Sequence, residues 1–301
     1  MAGSQDIAED PRNAQALVWL NGKLCKREEA VVSVFDAGFI AGDGVWEGLR
    51  LHRGRFLFLE EHLDRLFAGV RVVALEIGMS RAEIMAALEE TCRANLMADG
   101  VHIRLMVTRG PKKTPSQDPR QSIGQPTVAI VAEWKVPNPA VQLAGLKLAT
   151  VSQRCTRPDQ FDMRLNSHSR LPLILALLEA ARAGADEALM LDDSGFIASC
   201  NATNFFFVRA GTVCTSSGRF CFNGITRGKI LEICRSEEIP LALGDHARLD
   251  LARAEEAFVT GTFGGVTPVA AIDGQTFPVP GPLTARLAAL YRALIDAEAT
   301  P

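Results

Sequence analysis

No apolar run in this 301-residue chain approaches the ~18–20 residues that span a bilayer. Neither sign of charge dominates: 32 Lys and Arg stand against 35 Asp and Glu, a net charge of −3. That balance gives no positive field to attract nucleic acid or an anionic membrane surface. The seven cysteines (25, 92, 155, 200, 214, 221 and 234) include no C-x-x-C pair, and no His/Cys spacing predicts a metal site. An odd, unpatterned set behind a polar N-terminus without the basic-then-apolar order of a leader predicts reduced thiols and a cytoplasmic location. Cys214 and Cys221 could face each other across a short turn, or serve as two small buried hydrophobes. Internal repeats and low-complexity tracts are absent, and lysine is scarce, at positions 23, 26, 112, 113, 135, 147 and 229 only.

What is present is ordinary for a globular enzyme, 48% hydrophobic and 22% charged residues, at a length that suggests two domains. Residues 1–16 resemble a loose N-terminal arm. Leu20-Asn21-Gly22-Lys23-Leu24 carries the strongest short hairpin signal, and Ala30–Phe35 is β-rich. Gly38–Gly44 is too glycine-dense for an element interior. Helices are predicted over about 58–71 and 81–97, the second opened by a Ser80/Glu83 capping box. Strands follow near 103–108 and 128–132. Lys135-Val-Pro-Asn-Pro-Ala marks the best boundary. Beyond it are a strand near 146–152, a helix near 171–183, strands at 187–191 and 204–208, a hairpin through Thr212 and Cys221, a helix opening near Thr226, and a last helix at 283–295. The expected organisation is a small N-terminal α/β domain (17–133), a linker (134–145) and a larger C-terminal α/β domain (146–301), hence α/β or α+β.

Three segments do not read as packing. Asn223-Gly224-Ile225-Thr226-Arg227-Gly228 lies just before a helical pattern. Its glycines free the backbone, and the first helical amides would point outward as an anion cradle suited to phosphate; a plain N-cap is the other reading. Thr260-Gly261-Thr262-Phe263-Gly264-Gly265 ends a strand-like run and suits oxyanion binding or a simple loop. Gly44–Arg50 ends on a guanidinium that can clamp phosphate or form a surface ion pair.

In order and spacing, FDAGFIAGDGVWEGLR (35–50), EEHLDRL (60–66), IRLMVTRG (103–110), GADEALMLD (184–192), NGITRG (223–228) and TGTFGGVTPV (260–269) resemble the class IV, or fold-type IV, aminotransferases. That family comprises branched-chain and D-amino acid aminotransferases and aminodeoxychorismate lyases. The resemblance covers about residues 18–295. It implies a two-domain D-amino acid aminotransferase-like architecture, pyridoxal 5′-phosphate as cofactor, a homodimer, and an amino acid / 2-oxo acid pair as substrates, with the branched-chain and D-amino acid side favoured. By position, Arg50 resembles the phosphate arginine, Ile225 and Thr226 the backbone-amide phosphate site, and Thr262 the second hydroxyl on that phosphate. Ala41 and Trp46 fall where members line the substrate pocket, with Ala41 where many have tyrosine. Arg109 resembles the arginine that holds a substrate carboxylate; a loop-base ion pair is its other reading.

The chain departs from the family at the reactive end. The Schiff-base lysine is expected in Phe161–Pro172, which contains none. An ungapped alignment puts Asn166 there; a two-residue insertion puts Arg164 there. Neither offers a free amine at neutral pH. Ser199 stands where the family places a glutamate opposite the pyridine nitrogen, and Arg170 where an aromatic residue is expected. His168 is the side chain there with an ordinary pKa near neutrality, a candidate base or a helix-start histidine. Lys147 and Lys229 are the lysines of the second domain that could reach in from elsewhere. Two functions follow. One is an aminotransferase-like enzyme, with the lyase as its variant. The other is a non-transaminating member that keeps the phosphate cup, binds a phosphorylated metabolite or free cofactor, or runs lysine-independent chemistry.

Overall fold

A computed structural model describes residues 3–300, which divide into two compact units. Neither is one stretch of sequence. The N-terminal unit comprises residues 9–136, 165–170 and 298–300; the C-terminal unit comprises 3–8, 137–164 and 171–297. No helix among the described residues is long and apolar enough to cross a membrane.

The N-terminal unit is built on strands β1 (Val18–Leu20), β2 (Lys23–Cys25), β3 (Gly44–His52), β4 (Arg55–Phe56), β5 (Val101–Thr108) and β6 (Thr127–Trp134). They form an antiparallel sheet in the order β2-β1-β6-β5-β3-β4. The Asn-Gly hairpin joins β1 to β2, both residues adopting the positive φ that a tight primed turn requires. Helices α1 (Ala37–Ala41), α2 (Leu59–Val72) and α3 (Arg81–Ala94) complete the unit. The capping box at Ser80 and Glu83 is formed in both directions. Strand β5 alternates strictly. Val101, Ile103, Leu105 and Val107 join the core with Leu63, Leu66, Ile84 and Leu88 of the two long helices, which leaves His102, Arg104, Met106 and Thr108 on the other face.

Three expectations change here. Ala30–Phe35 forms no strand, and Val31, Val32 and Val34 are exposed; β propensity needs a paired edge and a face to bury, and this segment has neither. Within the glycine-dense segment the chain makes one short helix, α1. Asp36 caps it by accepting from the Gly38 amide, and Gly42 ends it in the left-handed region. The N-terminal arm is anchored: Ser4 is buried, Ile7 bridges Pro137, and Asn13 bonds both ways with the Trp134 backbone.

The C-terminal unit contains α4 (Pro139–Ala144), β7 (Leu146–Arg154), α5 (Leu171–Arg182), β8 (Glu187–Leu191), β9 (Ile197–Cys200), β10 (Asn204–Arg209), β11 (Thr212–Ser216), α6 (Ile225–Ser236), β12 (Leu241–Gly244), α7 (Arg248–Leu251), β13 (Glu256–Gly261), β14 (Gly265–Ile272), β15 (Gln275–Thr276) and α8 (Pro282–Glu298). Its sheet runs β12-β11-β10-β13-β14-β7-β8-β9, with β15 on β14. The stretch 134–145 is therefore no free linker: Trp134 ends β6, and Asn138 caps α4. The hairpin also shifts, with β10 rather than the Cys221 segment as the mate of β11. Phe205, Phe206 and Phe207 of β10 are fully buried, which fixes the register of the centre of the sheet. All seven cysteines are free; Cys214 and Cys221 are buried singly.

Asp36 supports more than its helix. Its carboxylate accepts from Thr108 Oγ1 at 2.7 Å and Thr127 Oγ1 at 2.6 Å, joining α1 to the ends of β5 and β6. Asp36→Ala strips these hydroxyls of their acceptor and leaves α1 uncapped. We expect a loss of about 2–3 kcal/mol, measured by urea unfolding, with Asp36→Asn retaining part of it.

Candidate functional site

In the C-terminal unit the candidate residues are gathered by Asn204, the first residue of β10. Its backbone pairs with Thr260 of β13. Its buried side chain donates to the Phe222 carbonyl at 2.6 Å and accepts from the Gly224 amide at 3.2 Å, holding the loop that leads into α6. The same side-chain amide reaches Ser199 Oγ at 3.5 Å. Gly224 is the N-cap of α6 and offers no side-chain cap, so the first amides, Ile225 and Thr226 among them, have no acceptor one turn back. A Cβ at Gly224 would lie 2.5 Å from Asn204 Oδ1. Thr226 is buried with its hydroxyl 3.4 Å from Tyr291 Oη, and the Tyr291 ring lies against Gly265, at the end of the Thr260–Gly265 turn. Thr260, 1% exposed, has a buried hydroxyl without a hydrogen-bond partner, and Thr262 is half-buried in the turn. Arg227 is buried too, bonding the Ser216 carbonyl at 2.7 Å and Asn223 Oδ1 at 3.3 Å. This is a cup of helix amides, hydroxyls and a buried guanidinium, suited to an anion.

In the N-terminal unit the segment 165–170 lies along the otherwise open edge of β3. Val45 bridges Ser167, the Trp46 amide donates to the Asn166 carbonyl at 2.9 Å, and the His168 amide donates to the Gly44 carbonyl at 3.0 Å. Trp46 Nε1 bonds the Ser167 carbonyl. Asn166 is buried with both ends of its carboxamide engaged: the nitrogen donates to the Trp46 carbonyl, and the oxygen accepts from the Arg170 guanidinium. Gly48 pairs with Arg104 across the sheet, and Trp46 pairs with Met106. The Arg104 guanidinium stacks 3.6 Å from the Trp46 ring centre, and that of Arg170 lies at 5.3 Å. On the core side, buried Glu47 receives a fork from Arg65, two contacts of 2.7 Å, and a third at 2.7 Å from His62.

Charge on this edge is lopsided. Burial alone would raise the Glu47 carboxyl, but Arg65 and His62 hold it below the ordinary range. Burial, then Arg104 and Arg65, push Arg170 down to about 10. Burial and the neighbouring Arg104 and Arg170 push His168 down to about 4, so it is a neutral imidazole with a buried, unbonded Nε2. His102 is pushed down to about 3 by burial and by Lys135, Arg104 and Arg50.

The expected site residues divide. Arg164 is exposed and forks onto Asp162, away from any site, so Asn166 is the residue on the β3 edge. Arg109 is used internally, forked onto Asp43 and donating to the Val73 and Ala74 carbonyls, the geometry of a loop base rather than of a free carboxylate receptor. Ala41 is exposed at the end of α1. Arg50 lies four residues along β3 from Trp46, about 13 Å at ~3.3 Å per residue, paired across the sheet with His102. Arg65, from the EEHLDRL run, comes closer to Asn166: its partner Glu47 adjoins Trp46, and its charge acts on Arg170. Lys147 is exposed on β7, and Lys229 pairs with Glu232 at 3.3 Å. A cavity of about 320 Å³ opens on the outer sheet face beside Met106, between Val18, Ala129, Val131 and Val32, and is lined by none of the candidate residues.

Tested against pyridoxal phosphate, these residues fit one end only. The Asn204–Gly224–Thr226 cup and the unpartnered Thr260 hydroxyl suit the phosphate. Taken unit by unit, the residues offered for its reactive end do not fit. Asn166 is an engaged amide without a nucleophilic nitrogen, and Ser199 Oγ gives its proton to the Thr203 carbonyl at 3.0 Å and carries no charge for a ring nitrogen.

Gly224→Ala forces Asn204 to move and is expected to weaken phosphate-ligand affinity about tenfold by titration calorimetry, for a small change in Tm. The two depressed imidazoles bind fewer protons folded than unfolded. Their contribution is present above about 6.5 and lost as pH falls toward 4 and 3. His168→Gln should therefore flatten the acid limb of a stability-versus-pH curve from urea unfolding, while leaving the neutral limb in place.

Comparison with known proteins agrees with this geometry. The sequence pattern that defines the amino-transferase class IV family matches residues 44–272. Branched-chain-amino-acid aminotransferase-like protein 2 of Arabidopsis thaliana is 38% identical over 296 residues, 97% of this chain and 52% of that protein, so the chain spans about half the length of this relative. The branched-chain-amino-acid aminotransferase of Pseudomonas aeruginosa is 32% identical over 299 residues, covering 94% of each chain. Among solved structures, the branched-chain aminotransferase of the thermophilic archaeon Thermoproteus uzoniensis with norvaline superposes with a TM-score of 0.84 at 30% identity, over 94% of this chain and 95% of that one. With a matched pattern over most of its length and relatives of this similarity, the chain belongs to the class IV aminotransferase family.

Proposed function

We propose that this protein binds pyridoxal 5′-phosphate, or a ligand with the same phosphate end, without bonding it covalently, and is a non-transaminating member of its family. The carrying observation is Asn166. Its carboxamide, which the ungapped alignment puts at the family's lysine position, is buried and held at both ends by Trp46 and Arg170. Retention of the α6 cup supports binding; the loss of both amine and ring-facing carboxylate argues against amine transfer. For the guanidinium serving an anion beside Asn166, Arg65 is the better placed and Arg50 the more remote. We also infer a homodimer. Helix α5 exposes Leu171, Ile174, Leu175 and Leu178 at helical spacing, an apolar stripe of the kind a second copy buries. A second reading, a branched-chain-type amino acid / 2-oxo acid transaminase, is favoured by the full-length similarity to the Pseudomonas aeruginosa enzyme. It requires an amine that Asn166 does not supply.

The test is titration of dialysed protein with pyridoxal 5′-phosphate, followed by borohydride reduction and a transfer assay over L- and D-amino acids with 2-oxo acids. Saturable binding that inorganic phosphate competes away, no lysine adduct by mass spectrometry and no transfer are expected. A reduced lysine adduct, or transfer that co-purifies with the protein, overturns the reading.

A further inference from the structure

We propose that Glu187 is a positioning residue for the C-terminal cup, a buried clasp through which the N-terminal segment holds the turn carrying Ser199 and Asn204. The inference rests on the phosphate-binding reading above for its ligand and on separate contacts for its mechanism.

Glu187 opens β8 and is 2% exposed. One carboxyl oxygen accepts the Ser4 amide at 3.1 Å, and the other accepts Thr203 Oγ1 at 2.8 Å. Thr203 is the last residue of the turn between β9 and β10. Its carbonyl accepts both Ser199 Oγ and the Cys200 amide at 3.0 Å, and the next residue is Asn204, which holds the entrance to α6. The links therefore run unbroken from Ser4 through Glu187, Thr203 and Asn204 to Gly224. Ser4 reaches the second wall as well: its carbonyl lies 3.7 Å from where a Cβ would sit on Gly264, inside the Thr260–Gly265 turn. One short N-terminal segment thus bonds Glu187 directly and passes beside the Thr260–Gly265 turn.

The surroundings favour the neutral carboxyl over the carboxylate. The two bonds it accepts come from neutral donors, and the charged and titratable groups that act on it, Asp186 and Cys200, add no positive charge. Burial raises its pKa against the hydrogen bonds from Ser4 and Thr203, with Asp186 adding to the rise. Ser4 Oγ is buried beside it and bears on the same carboxyl. A glutamine keeps one acceptor for the Ser4 amide, and its NH2 can donate to Thr203 Oγ1 once that hydroxyl turns to accept. Asn201 independently pins the front of the same turn, its Oδ1 accepting the Ala188 amide at 2.8 Å, so loss of Glu187 loosens the Thr203 side without dissolving the hairpin.

The test compares wild type, Glu187→Gln, Glu187→Ala, Thr203→Val and a chain lacking residues 1–8. Amide hydrogen exchange is read over residues 199–204 and 222–226 without ligand, and affinity is read by titration with pyridoxal 5′-phosphate. Glu187→Ala, Thr203→Val and the shortened chain should exchange at least about tenfold faster in both segments and bind about tenfold more weakly. Glu187→Gln, which keeps one acceptor and a polar link to Thr203, should stay nearer wild type than Glu187→Ala in both. Because the folded pKa is raised, the wild type loses stability as pH rises through it, so the Tm of Glu187→Gln relative to wild type should rise with pH. Unchanged exchange in Thr203→Val and the shortened chain overturns the proposal, as does Glu187→Gln behaving like Glu187→Ala. If wild type itself binds no pyridoxal 5′-phosphate, the functional reading fails while the exchange arm still decides this one.

Discussion

The hydrogen bonds of one buried carboxamide, Asn204, are what the C-terminal site depends on. A loop of eight residues separates β11 from α6, and a glycine begins the helix without a side-chain cap. Left alone, such a loop would sample many endings, and the helix amides would point nowhere in particular. Asn204 is fixed at the start of a fully buried strand, and it grips the loop at Phe222 and Gly224 at once. The direction of α6, and so the place where its free amides converge, is inherited from the core of the sheet. A site organised on a rigid element binds without first bearing the entropy of ordering itself.

Electrostatics does the corresponding work in the N-terminal unit. One buried carboxylate, Glu47, faces Arg65 and His62, while Arg104 and Arg170 share a tryptophan ring nearby. Crowded cations of this kind are tolerated when adjacent groups stay neutral, and both His102 and His168 do so. The asymmetry favours anions and disfavours amines. Arg170 does double duty, adding to the positive charge and bonding the oxygen of Asn166.

Much of this was legible in the sequence because the signals are local. The Asn-Gly hairpin, the Ser80/Glu83 capping box and the alternation of β5 each specify geometry within a few residues, and the structure carries all three. The glycine-led start of α6 was equally visible. What was hidden was set by partners distant in sequence. Ala30–Phe35 has strand-like residues but no strand to pair with. Arg109 looks like a substrate arginine until Asp43 and the end of α2 claim its donors. Arg65 sits in a helix whose other charges face solvent, and only its fork onto Glu47 sets it apart. Asn204 and Glu187 look like an ordinary strand start and an ordinary acidic residue; their roles come from contacts 16 to 183 residues away.

The six-residue passage 165–170 also governs how the molecule can be divided. It sits in the middle of the chain yet completes the edge of a strand laid down 120 residues earlier. No single cut therefore liberates either half intact. A fragment ending near residue 136 would display the bare backbone of Gly44–Trp46, an adhesive border open to the next chain it meets. Synthesis must pass Arg170 before that border is sealed, so the earlier half cannot finish folding until part of the later one has been made.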